Sequence, residues 1–110
     1  MNKRLFIDDE RFPPDDGQEW VIVRSSKEAI GHCILFGCPE YISFDHDLGG
    51  EDKDTAMIFV KWLIEADLDR TGCFIPENFS FYVHSQNVNG RDNIKGLIES
   101  YLKHRTICKL

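Results

Sequence analysis

"YISFDHDLGG", residues 41–50, sets the reading of the whole chain. Tyr41–Phe44 is a short run of β-branched and aromatic side chains and reads as a buried strand. It stops on Asp45-His46-Asp47 and two glycines. An ordinary strand leaves the core through one polar residue and a turn. Two carboxylates around an imidazole are costly to gather unless a cation or a reaction uses them.

The same pattern recurs along the chain. "RLFI" (Arg4–Ile7) stops at "DDERFPPDDG", "WVIVR" (Trp20–Arg24) at Ser25-Ser26, and "FSFYV" (Phe79–Val83) at His84-Ser85-Gln86-Asn87. "TICKL" (Thr106–Leu110) is a possible fifth strand. Helical patterns lie between the strands. Ser25-x-x-Glu28 is a capping box before Ala29, Ile30, Cys33 and Ile34, with Gly37 as the stop. Asp54 can cap a second helix whose stripe is Met57, Val60, Ile64 and Leu68 and which ends at Arg70-Thr71-Gly72. Val88–His104 carries Ile94, Leu97, Ile98, Tyr101 and Leu102 at helical spacing.

Strands alternating with helices predict an α/β fold: an open parallel sheet of four to five strands with helices on both faces. Between Ile7 and Trp20 two prolines, a glycine and no helical stripe reduce the first crossover to a loop. The 110 residues suffice for a single domain, 1–110, with one core.

A net charge of −6 argues against a broad nucleic-acid surface, though it leaves room for a pocket for one phosphate. No apolar run approaches the roughly 20 residues of a membrane span, and none resembles a signal peptide, so we expect nothing to be cleaved. Cys33, Cys38, Cys73 and Cys108 show no metal-ligand spacing; we expect reduced thiols in a cytoplasmic protein.

In an open parallel sheet the carboxyl ends of the strands converge, and ligands bind there. That rim collects Asp8, Asp9, Asp45 and Asp47. So many acids repel unless a divalent cation or a shared proton intervenes. Oxygen ligands suit Mg²⁺, and the neighbouring histidines make Mn²⁺ an alternative. The plainer reading of Asp8 and Asp47 is that they cap loops.

Ser85 can hydrogen-bond a phosphoryl oxygen, and Asn87 stands where a helix N-terminus favours an anion; a simple N-cap is the competing role. His46 and His84 are candidate acid and base. Strand alternation points His46 away from both neighbouring acids, and one of the two rings should be structural, bonded to backbone. Arg11, Arg24 and Arg91 can clamp phosphate oxygens in fork geometry.

Assembled in this way, the residues resemble the receiver superfamily of response regulators. Asp8 and Asp9 match its acidic, Mg²⁺-holding pair, Asp45 its phosphorylatable aspartate, and Ser85 the hydroxyl ending its fourth strand. Asp47 falls where a backbone carbonyl faces the metal. The match is closer to one divergent branch, the cyclic-phosphate-processing receiver-like domains of bacteria and phages, which show "LDDxR", "DHDLG" and "HSxNxxG". This chain has "IDDER" (Ile7–Arg11), "DHDLG" (Asp45–Gly49) and "HSQNVNG" (His84–Gly90) in that order.

The resemblance implies metal-dependent hydrolysis of a cyclic phosphate on RNA ends or nucleotides, in the manner of a cyclic phosphodiesterase. Receivers also have a lysine followed by proline after strand five; here only Lys109 is near, without a proline, and the sequence leaves no room for a fifth helix. Both departures count against a phosphorylation switch, whereas His46, Asp47 and His84 suit an enzyme. The rival is a non-catalytic module that binds a phosphorylated nucleotide or a protein partner.

Overall fold

A computed structural model describes residues 4–49 and 53–105. Its sheet has four parallel strands in the order β2-β1-β3-β6: β1 (Arg4–Ile7), β2 (Trp20–Val23), β3 (Tyr41–Phe44) and β6 (Ser80–Val83). The register aligns Ile7 with Val23 and Phe44, and Phe44 with Val83. Each strand therefore ends at the same level. This is the receiver-like α/β architecture expected, with four strands; "TICKL" and Lys109 lie outside the described residues.

Alternation divides the sheet into two faces. Leu5, Ile7, Val23, Ile42, Phe44 and Val83 join one core cluster with Ala29, Cys33, Phe59, Val60, Leu63, Ile94 and Ile98 from the helices α1 (Ser26–Phe36), α2 (Ala56–Asp69) and α3 (Val88–His104). α1 packs on α2 and α2 on α3, so the three helices form one layer. Right-handed crossovers require this, because both helical connections step in the same direction across the sheet. The 8–19 connection carries no helix, as expected, so the expectation of helices on both faces is corrected to one helix-covered face among the described residues. On the other face Phe6 packs edge-on against Trp20, ring centroids 5.7 Å apart.

Local chemistry sets the helix ends. Ser25 Oγ accepts from the Glu28 amide (3.1 Å), while Glu28 Oε1 accepts from Arg24 N (3.0 Å), one residue before the cap. Asp54 does not cap α2. Its carboxylate accepts from Ser26 N (2.8 Å) and Ser26 Oγ (2.5 Å) at the start of α1, and Thr55, the N-cap of α2, makes no side-chain cap hydrogen bond. Ile34 and Leu68, expected in the apolar stripes, are exposed; the buried face of α2 runs Ala56, Phe59, Val60, Leu63, Asp67. Phe59 and Leu63 fill that stripe at the same helical spacing, which turns the helix away from Leu68.

One feature of β3's exit was not expected. β4 (Asp47–Gly49) and β5 (Asp54–Thr55) pair antiparallel as a short ribbon between β3 and α2. At the opposite end a balanced ionic cluster closes the core. Asp67, fully buried, accepts from Phe74 N (2.9 Å), Ile75 N (2.7 Å) and Tyr101 Oη (2.6 Å), and pairs with Arg105 Nη1 at 3.5 Å.

Among cysteines, Cys33 is buried, Cys38 partly buried and Cys73 exposed, none of them in a disulfide; Cys108 lies outside the described residues. Among the described residues no helix is long and apolar enough to cross a membrane.

Candidate active site

Ladder hydrogen bonds continue one step past the strands and bring the polar ends together. Asp8 N donates to Val23 O (3.2 Å), Asp45 N to Ile7 O (2.8 Å) and His84 N to Phe44 O (2.9 Å). Asp8, Asp45 and His84 therefore sit side by side at the carboxyl edge of β1, β3 and β6. Asp9 joins them: carboxylate oxygens of Asp8, Asp9 and Asp45 all lie within 4.8 Å of one another.

Asp8 is the fixed member. It is wholly buried, and its Oδ1 accepts from the Glu10 and Arg11 amides, each at 2.9 Å. Its Oδ2 meets His84 Nε2 at 2.9 Å. Burial alone would push this carboxyl up; the two amides and His84 outweigh it and hold it below the ordinary carboxylate range. Asp45 goes the other way. Burial and then the charge of Asp8 raise it, offset only in part by the Ser85 hydroxyl, His84 and Arg11. The trio thus contains one carboxylate held ionised and one crowded toward protonation.

His84 is occupied at both nitrogens. Its Nδ1 lies 2.7 Å from Ser43 Oγ, its Nε2 bonds Asp8, and its ring stacks on Phe6 with centroids 4.6 Å apart. It is held by side chains and not by backbone, the partner type expected for the structural ring. Ser43, two residues before Asp45, escaped notice because it reads as part of an apolar run. A hydroxyl buried mid-strand, on the face that Phe6 and His84 share, was the available signal.

His46 is arranged differently. Its Nδ1 lies 3.0 Å from Asp47 Oδ1, whose other oxygen accepts from Asn87 Nδ2 at 3.0 Å. Both contacts, Asn87 first, hold Asp47 below its usual range. The expectation that His46 turns from both acids is corrected: the strand ends at Phe44, so alternation no longer governs residues 45–47. His46 Nε2 makes no hydrogen bond to another side chain among the described residues. Asp47 belongs to this imidazole dyad and its carboxylate is not among the clustered three.

Ser85 is buried beside Asp45, its Oγ accepting from Asn87 N at 3.1 Å, and Asn87 caps α3 through Oδ1 to Gly90 N at 2.9 Å. Arg11 is close enough to lower Asp45. Arg91 lines a groove of about 680 Å³ beside β6 with Asp92, Lys95 and Glu99. Arg24 is used structurally. Its Nη1 donates to Asp8 O (3.0 Å) and Arg11 O (2.6 Å), bracing the turn that carries the acids.

Two motif glycines are explained by the side chains they face. A β-carbon on Gly49 would stand 2.6 Å from Asp9 Oδ2, and Gly49 also has a left-handed φ of 70°. One on Gly90 would overlap the His46 ring.

The chain matches the family model described as the cyclic-phosphate processing Receiver domain over residues 3–100. No curated protein and no solved structure matches it. With the match spanning most of its length, the chain belongs to that family.

Proposed function

We propose that this Receiver domain hydrolyses a cyclic phosphate carried by a nucleotide or an RNA end, using a divalent cation held by Asp8, Asp9 and Asp45. The observation that supports this reading most is the acid trio itself. Its donors are all oxygen, as Mg²⁺ prefers and Mn²⁺ accepts, and burial together with the charge of Asp8 raises the Asp45 carboxyl despite His84 and Arg11 nearby. The backbone carbonyl of Asp47 would complete the set. When bound, the cation supplies Lewis acidity and neutralises charge on a phosphate oxygen.

The remaining work falls to the chain's own groups. His46 takes a proton from water at Nε2 while Asp47, fixed by Asn87, holds Nδ1–H and with it the tautomer. The water oxygen bonds phosphorus, one ring P–O bond breaks, and the proton passes to the departing ribose oxygen. Asp45 is the other candidate for attack on phosphorus. Ser85, Arg11 and the N-terminal turn of α3 receive phosphate oxygens. His84 contributes by fixing Asp8.

The test is phosphorus NMR of 2′,3′-cyclic AMP with the protein in Mg²⁺, in Mn²⁺ and in excess EDTA, with Asp45→Asn alongside. Metal-dependent conversion to one monophosphate isomer over many turnovers, lost in the variant, is the expected result. Binding without conversion would instead assign a module that holds a phosphorylated nucleotide.

A further inference from the structure

Phe12 stands four residues after Asp8 with its side chain 74% exposed. A lone exposed phenylalanine is ordinary. This one is braced: the Arg24 guanidinium carbon lies 4.9 Å from its ring centroid. The same guanidinium donates to Asp8 O and Arg11 O, so one cation ties the ring to the turn that carries the metal-facing acids. Pro13 follows directly and restricts the backbone of Phe12 to extended conformations. The ring is thus tied through one guanidinium to the backbone of Asp8, and its exposure leaves ring surface open to solvent.

We propose that Phe12 is a stacking platform for the base of a nucleoside cyclic phosphate whose phosphate occupies the adjacent acid site. The inference rests on the phosphate reading above and narrows it to substrates that carry a base. Stacking on an aromatic ring tolerates any base, since each has a π-face, and a guanidinium on the ring adds a cation–π contact. The platform therefore selects for a nucleoside without selecting among bases. A pre-fixed ring also loses little side-chain freedom on binding.

The test compares dissociation constants in Mg²⁺, or KM where a compound turns over, for three ligands. They are 2′,3′-cyclic AMP, base-free glycerol 1,2-cyclic phosphate, and a short single-stranded RNA ending in a 2′,3′-cyclic phosphate. Phe12→Ala should weaken the two nucleoside ligands about five- to a hundredfold and leave the glycerol compound unchanged. Phe12→Trp should keep nucleoside affinity, with its new fluorescence quenched on binding.

Equal weakening of the glycerol compound, or no weakening of either nucleoside ligand, would overturn the proposal. A loss shared by mononucleotide and RNA assigns the ring to the terminal base, and one confined to RNA assigns it to the base before. Base-dependent binding without hydrolysis would sink the enzyme reading and leave the platform standing.

Discussion

His84 Nε2 lies 2.9 Å from Asp8 Oδ2 while its Nδ1 lies 2.7 Å from Ser43 Oγ, so a buried serine, a histidine and a candidate metal ligand form one chain. Hydrogen-bonded partners behind a ligand set its orientation and commonly change metal affinity by about 10- to 100-fold when removed. His84→Ala should weaken Mn²⁺ binding by that order in an electron-paramagnetic-resonance titration. His84→Gln, whose amide can still donate to Asp8, should recover part of it. Unchanged binding in His84→Ala would show that Glu10 and Arg11 amides suffice to hold Asp8.

Gly90 predicts a coupling. Gly90→Ala drives a methyl into the His46 ring and should cost about 1–3 kcal/mol of stability, the usual penalty of overpacking. In a His46→Ala background the same substitution should cost little, because the obstructing ring is gone. A double-mutant cycle by urea unfolding reads this directly. Additive losses would mean that Gly90 serves α3 and not His46.

Asp47 offers a separate test of the dyad. Asp47→Asn retains size but loses the charge that faces the imidazole, and Asn87→Ala removes the amide that fixes it. Both should lower kcat for cyclic-phosphate hydrolysis at least tenfold, with KM and Mn²⁺ affinity nearly unchanged. A fall in metal affinity equal to the loss in kcat would move Asp47 into the metal site.

The far-end cluster sets an acid limit on the fold. Burial would raise Asp67, but the Tyr101 hydroxyl, the Ile75 and Phe74 amides and Arg105 together hold it below the ordinary 3.8. The unfolded chain therefore binds this proton first. The contribution is fully present above the ordinary value and is lost as pH falls through the lower native one. Asp67→Asn should be less stable at neutral pH and show a shallower acid flank in urea midpoints. Asp67→Ala, which strands a buried Arg105, should cost about 3–5 kcal/mol.

How much of this was legible beforehand follows from the range of each signal. Strand ends and helix stripes are local patterns, so the parallel sheet and the convergence of Asp8, Asp45 and His84 could be read from spacing. Which helix face turns inward depends on the neighbours, and Ile34 and Leu68 ended exposed for that reason. Asp54 has the composition of a cap, yet the helix it serves lies 28 positions earlier, a tertiary choice that no local pattern contains. Ser43 was hidden by averaging it into an apolar run. His46 was misdirected by extending strand alternation beyond the residue where the strand stops. The two glycines carry no chemistry of their own, and their role appeared only when Asp9 and His46 could be seen occupying the space beside them.

Arg24 has one more consequence. The guanidinium that fixes the carbonyl of Asp8 is also the one under the Phe12 ring, so the proposed cation site and the proposed base platform share a hinge pin. Traits joined in that way cannot drift independently. A lineage that relaxed Arg24 to admit a bulkier ligand would loosen the turn that carries Asp8 in the same step, and compensation would have to arise on both sides of that turn at once.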